Sequence, residues 1–358
     1  MRHVSIMTAL LLFASMPAWA QQDESWHQGL LRGRDLTPFG FLRLDMRPAH
    51  SVSVQPGTSA VEATLGYQNT WALSQNVEDY LSSLPGRRRL GPEEIAAIHA
   101  LPGEKYLVDM ELGLLDLAYH RKLDAHWSAY AGVGLVWYGG GFLDGLIENW
   151  HEAFGFDRYG RPAVQRNDVL VLYDLKGVQY TSQGISPRAG VLDPNLGLRY
   201  AFAERAAPWN LVVEGAIKLP LGGRRDFLSN GHVDVGAQAT LQHVSGRHGA
   251  YASASVVYTE NSVFGQAGNR KLVPGGILGY EFAWTSRTNL VGQVSASRGT
   301  LERNATDLEG LLANKYQYAI GARHRFERSA FTAAITENFK NVNNTPDFGF
   351  QFGWVFWL

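Results

Sequence analysis

The sequence predicts an all-β fold, a transmembrane antiparallel β-barrel of about twelve strands with an N-terminal segment and a loop helix outside the wall. Three observations carry this. From residue 60 onward, apolar residues alternate with small or polar ones, as strands with two unlike faces require. The composition sets 39 Gly, 15 Tyr, 17 Phe and 10 Trp beside only 18% charged residues, against about 25% in ordinary soluble domains. The connections are short and long by turns, as in outer-membrane barrels with short periplasmic turns and long extracellular loops. A chain of 358 residues suffices for one large barrel.

Residues 1–20 read as an export signal. Arg2 and His3 form a polar start, Val4 to Met16 an apolar core, and Ala18-Trp19-Ala20 a small-x-small cleavage site. That core is shorter than the ~20 apolar residues a spanning helix needs. Residues 21–59 follow, with Gly29-Leu30-Leu31-Arg32 and Arg34-Asp35-Leu36-Thr37-Pro38-Phe39-Gly40, too polar and Pro-broken for a spanning strand. This segment is expected to plug the lumen or to sit beneath it, and residues 60–358 to form the barrel.

Strands are expected over 60–74, 105–120, 126–138, 190–203, 209–220, 231–243, 249–259, 275–286, 288–298, 314–326, 329–337 and 346–358. In the last, Phe348, Phe350, Phe352, Trp354, Phe356 and Leu358 share one face, and Gly349, Gln351, Gly353 and Val355 the other. Aromatics outward with Gly or Gln inward is the membrane-barrel pattern. Trp127 and Trp137 bracket a ten-residue rise, fitting the two aromatic girdles. One strand changes phase: Val108, Met110 and Leu112 alternate, then Leu115, Leu117 and Tyr119. A β-bulge near Leu114 would reconcile the two with one lipid-facing side. An extra hairpin over 169–180 would raise the count to fourteen.

The long loop 139–189 holds a helix over 142–155. Phe142, Leu143, Leu146, Ile147, Trp150 and Phe154 lie on one side, and Asp144, Glu148 and Glu152 on the other. It is expected to cap the barrel mouth with its acidic side in solvent; the alternative is a place at the outer interface. Asn341, Asn343 and Asn344 are expected to form a tight loop.

Composition excludes several functions. A net charge of −1 gives no basic surface for nucleic acid, and the absence of Cys removes disulfides, thiolate metal sites and cysteine nucleophiles. No cofactor is expected. Gly139-Gly140-Gly141 lacks a phosphate-loop context, and His151-Glu152 lacks a second His four residues on, where Gly155 stands. The enzyme alternative, an outer-membrane lipid hydrolase of phospholipase or lipid A deacylase type, has His243-Val244-Ser245 and the weaker His50-Ser51-Val52-Ser53. The first falls at a short turn, away from the outer leaflet where such enzymes work.

By alternation the lumen holds Glu62, Asp109, Glu111, Asp193, Glu214, Asp234 and Glu281, against Arg199, Lys218, Arg323 and Arg325. On the lipid face each would cost about 2–4 kcal/mol near the midplane. They read as paired charges filling a narrow barrel or as a solute path. Arg323 and Arg325 are expected to meet Glu214, Glu281 or the N-terminal segment. Twelve strands enclose more room than the roughly eight that side chains fill, and less than 16–18-stranded open porins. The expectation is therefore a narrow or gated channel for a small, partly apolar solute, obstructed by residues 21–59 or the 142–155 helix. Gly132, Gly134, Gly349 and Gly353 would leave space along its wall. A structural or adhesion barrel without transport is a third reading. Expected partners are outer-membrane lipid, the barrel-assembly machinery through the C-terminal strand, and the solute.

The stretches GLLRGRDLTPFGFLRLDMRPAH, FLDGLIENWHEAFG and TENFKNVNNTPDFGFQFG resemble an uncharacterised bacterial domain-of-unknown-function family. That family is distantly similar to barrels encoded with meta-pathway phenol degradation and, through them, to long-chain fatty-acid transporters. The resemblance covers nearly the whole mature chain and implies an outer-membrane barrel, without supplying functional residues. The chain departs from the general barrel pattern at its end, where Leu358 stands in place of a final aromatic.

Overall fold

A computed structural model describes residues 27–37, 40–49, 59–203, 207–225, 227–260, 270–341 and 343–358. The expected signal peptide and the His50–Ser53 stretch lie outside them. Twelve strands close into an antiparallel ring: β1 (Ser59–Leu73), β2 (Lys105–Lys122), β3 (Trp127–Gly139), β7 (Asn195–Ala201), β8 (Trp209–Lys218), β9 (Asp234–Ser245), β10 (His248–Tyr258), β11 (Leu272–Ala283), β12 (Thr288–Ser297), β13 (Lys315–Arg325), β14 (Ser329–Asn338) and β15 (Phe348–Trp357). β1 closes the ring on β15 through a register running from Ala60↔Trp357 to Asn69↔Phe348. Closure leaves no unpaired edge, which a wall facing lipid requires. No helix among the described residues is long and apolar enough to cross a membrane.

The period-2 faces explain the wall. Trp127, Leu135, Trp137, Leu278, Ile320, Phe352 and Trp354 are exposed on the outer face. Phe326 stacks on Trp354, and Trp354 on Phe356, as a girdle near the short-turn end. Inside, small residues alternate with buried polar ones.

The expected bulge is absent. β2 keeps one register with β1, from Ser59↔Arg121 to Leu73↔Leu107, and one with β3, from Glu111↔Gly139 to Lys122↔Ser128. Val108, Met110, Leu112 and Leu114 therefore face inward, in a buried cluster with Leu36, Phe41 and Tyr138. Asp109 and Glu111 consequently lie on the outward face and not in the lumen, a correction to their sequence assignment. The assumption that greasy means lipid-facing fails here because the long-loop end of the barrel has an apolar interior.

That interior is roofed. A hairpin of β4 (Leu170–Leu175) and β5 (Val178–Ser182) extends β2 beyond the ring, so the 169–180 hairpin exists without making the wall fourteen-stranded. The short β6 (Ala189–Val191) pairs with the end of β3. Val171, Tyr173 and Leu175 of the hairpin pack with Tyr106, Phe227, Leu228, Leu301 and Leu311 across the mouth. Leu311 belongs to α4 (Glu309–Leu312), and Asn344 donates to the carbonyl of Ala313 at 2.8 Å. The asparagine-rich turn thus ties the last two long loops together.

The other side of this extension carries α1 (Gln75–Ser83) and α2 (Pro92–Ala100), two helices the period-2 reading passed over. Pro92 occupies the first turn of α2, and Glu94 accepts the Gly91 N–H at 2.9 Å. Their Val77, Leu81 and Ile98 cover Trp71, Leu107 and Leu172.

α3 (Asp144–Phe154) overturns the expected cap with a solvated acidic side. It buries Asp144, Ile147, Glu148 and His151, leaves Glu152 exposed, and with Phe142 just ahead of it exposes Leu146, Trp150 and Phe154. Arg161 reaches Asp144 at 2.6 Å and Asp347 at 2.9 Å, while Arg87 and Arg166 hold Glu148 at 2.7 and 2.5 Å. Glu111 accepts the N–H groups of Phe142 and Leu143, which anchors the helix entry on the outer wall. Phe142 stacks on outward-facing Tyr67 with centroids 5.1 Å apart. Gly155, at φ 69°, ends the helix in the left-handed conformation.

Candidate functional site

Residues 27–37 and 40–49 run through the inside of the ring with hardly any regular structure. Buried backbone N–H and C=O groups must nonetheless find partners, and the inward side chains of the wall supply them. Gln293 both accepts the Leu31 N–H (2.8 Å) and donates to the Leu31 carbonyl (3.2 Å). Gln68 does the same for the Leu36 N–H and the Arg34 carbonyl. Gln238 donates to the Arg47 carbonyl at 2.7 Å.

The inward charges fall into linked groups. Glu281, fully buried, accepts the N–H groups of Gln28 (3.1 Å) and Gly29 (2.9 Å), the Tyr251 hydroxyl (2.8 Å) and the Asn289 amide (2.7 Å). Arg323 meets Glu281 at 3.2 Å and donates to the Gly29 carbonyl at 3.0 Å. Arg325 follows on the same face, half-buried at the strand end. Glu62 binds Arg32 (3.1 Å) and His120 (2.9 Å); His120 in turn lies 3.3 Å from Arg199, which pairs with Glu214 at 2.5 Å. Lys218 pairs with Asp234 (2.9 Å), lies 3.8 Å from Asp193 and donates to the Leu42 carbonyl. Asp234 accepts the Leu44 N–H at 2.8 Å. Buried ion pairs of this kind require their remaining lone pairs and protons to be satisfied, which most here are, with Arg199 Nη2 left without a hydrogen-bond partner.

Of the sequence-assigned set, eight residues therefore face inward, Glu62, Arg199, Glu214, Lys218, Asp234, Glu281, Arg323 and Arg325; Asp193 belongs to the Lys218 group, and Asp109 and Glu111 do not share the space. Sequence reasoning missed Asp116 and His120, although Leu117 and Tyr119 outward already put both inward. It also missed the segment's own cations. Arg34 and Arg47 approach Asp116 at 3.4 and 3.7 Å, and Lys315 pairs with Asp35 at 2.8 Å.

Wall glycines seat the segment. A Cβ on Gly66 would meet Leu36, one on Gly236 would meet Met46, and one on Gly279 would overlap Leu30. The four glycines named from sequence behave differently. Asn195 crowds Gly132, Leu114 and Leu192 crowd Gly134, and Gln68 crowds Gly349. Gly353 borders a cavity of about 40 Å³ beside Glu62 and Arg323. A larger cavity of about 120 Å³ lies between the segment and the wall of β10–β13 and β15. Elsewhere, His243 stacks on Trp209 on the outer face at the short-turn end.

The fold is similar to that of an outer-membrane channel from Pseudomonas putida F1, with a TM-score of 0.51, 12% identity, and 88% of this chain and 100% of that one covered. A weaker likeness is to the toluene transporter TodX of P. putida (TM-score 0.38, 10% identity, 85% and 90% covered). A Pseudomonas aeruginosa FadL homologue follows (0.35, 12%, 91% and 96%). No functionally curated protein is similar in sequence to this chain. The barrel is of the outer-membrane type, and its residues 86–357 match the family described as "Protein of unknown function (DUF3187)", to which the chain belongs.

Proposed function

We propose that this protein is a channel of the outer membrane for a small solute, held closed by residues 27–37 and 40–49. The observation behind this reading is that the interior segment has little regular structure of its own, and that wall charges and glutamines serve as its hydrogen-bond partners. A core built only for strength would be filled with apolar side chains, since replacing buried ion pairs by such residues is often neutral or stabilising. The segment does bury Leu30, Leu31, Leu36, Phe41 and Leu44, but its backbone is held by polar contacts, each exchangeable for water. On this reading the short turns and the end of β15 face the periplasm, and the roofed mouth faces outward. The P. putida F1 protein of similar fold is described as an outer-membrane channel, and His243, stacked on a tryptophan at the short-turn end, offers no outer-leaflet hydrolase centre.

Planar-bilayer recordings of the full chain and of a variant lacking residues 21–50 test this. The expected result is small or intermittent conductance for the full chain and steady, larger conductance for the deletion. Large ungated conductance in the full chain would overturn the closed state, and silence in both would leave a structural barrel.

A further inference from the structure

We propose that the 120 Å³ cavity between the segment and the wall is a binding site for a small organic monocarboxylate. Its passage through the barrel rests on the channel reading, whereas its binding does not. The cavity exists because the facing strands carry small residues there, Ser255, Gly275, Ser295 and Ala319. Four polar atoms of its lining are buried without a hydrogen-bond partner, Arg34 Nε, Gln317 Nε2, Asp45 Oδ2 and Gln351 Oε1, and Arg47 Nη1 has only Asp116 at 3.7 Å, beyond hydrogen-bond distance. Arg47, Gln317 and Gln351 are 7%, 8% and 6% exposed. Unpaired buried groups are rare, and a cluster of them around one space needs an explanation.

Charge selects the class of ligand. Arg34, Arg43, Arg47 and Lys315 line the cavity, against Asp35, Asp45 and Asp116. Asp35 is committed to Lys315, and Asp116 to Arg34 and Arg47. Burial pushes the Asp45 carboxyl upward despite the nearby arginines. An excess of cationic donors remains, suited to a carboxylate. Leu36, Val257, Val273 and Ile277 form an apolar flank for a short hydrocarbon part. A dry cavity of about 150 Å³ accommodates benzene, so this one suits a ligand of about six non-hydrogen atoms.

Saturation-transfer NMR on the full detergent-solubilised chain, with isobutyrate and its neutral isostere isobutyramide as probes, reads binding without reading conductance. Isobutyrate should receive saturation, at least tenfold more weakly bound in Arg47→Gln and also weakened in Gln317→Ala, while isobutyramide binds at least tenfold less tightly. Heat-modifiable migration establishes that each variant is folded. Equal binding of both probes, no transfer to isobutyrate, or transfer unchanged in both variants would overturn the site. If isobutyrate binds as described while bilayer recordings stay silent, the site stands and the channel reading fails.

Discussion

At the scale of single residues, the interior is organised by acceptors that hold backbone. Glu281 gathers two N–H groups of the segment, a hydroxyl, an amide and Arg323. Removing it strands Arg323 and both N–H groups in a buried site, a loss of about 3–5 kcal/mol for a broken buried pair. Glu281→Ala is therefore expected to free the first turn of the segment. Limited trypsin digestion should then cut at Arg32 and Arg34 with the barrel intact; wild-type resistance in the variant would contradict this. Alternation alone put Glu62, Glu214, Lys218, Asp234, Glu281 and Arg323 on the inner face, because a strand has only two sides. It could not reveal what they bind, since residues 27–49 have no periodicity to read. Asp109 and Glu111 were misplaced for a physical reason: their apolar neighbours face a roofed interior rather than lipid.

Among the elements, β2 and α3 depart most from the sequence reading, and they do so together. A continuous β2 puts Glu111 outside, where it anchors the entry to α3. α3 then buries Asp144 and Glu148 and leaves Phe142, Leu146, Trp150 and Phe154 exposed beside the outward-facing Tyr67 and Trp137. The helix pattern at 142–155 was legible, whereas which face is buried was not, because the partners of its acids, Arg87, Arg161 and Arg166, lie elsewhere in the chain. Such a face suits the lipid interface. Since the chain has no Cys, a spin label on Phe154→Cys reports it alone. It should be more accessible to oxygen than to a water-soluble nickel chelate in bilayers; the reverse would contradict the placement. Burial raises the Glu148 carboxyl, but Arg166 and Arg87 outweigh this and hold it below its ordinary value of 4.5. Its contribution is complete above that value and is lost as pH falls through the lowered folded value. Label mobility should rise only in that acid range, and Glu148→Gln should abolish the dependence.

For the whole molecule, the barrel is closed twice: by an apolar roof at the long-loop end and by a polar-tethered segment along the inside. Strand number, closure and the alternation of short and long connections were legible because each follows from the period-2 pattern and the requirement that a wall in lipid leave no edge. The roof was not, because its residues come from four separate loops whose meeting no local pattern encodes. The two closures meet, since Leu36, Phe41 and Leu42 of the segment pack into the apolar cluster of the roof, while the rest of the segment's backbone is tethered by side-chain hydrogen bonds that can be exchanged one at a time for water. The claim that the segment is the gate is tested most directly by locking it. Met46 Cγ comes within 3.0 Å of where a Cβ on Gly236 would stand, so Met46→Cys with Gly236→Cys should form a disulfide between segment and wall. Bilayer conductance of this double variant is expected to vanish on oxidation and to return on reduction, in the same membrane. Equal conductance of the oxidised and reduced forms would contradict the gate.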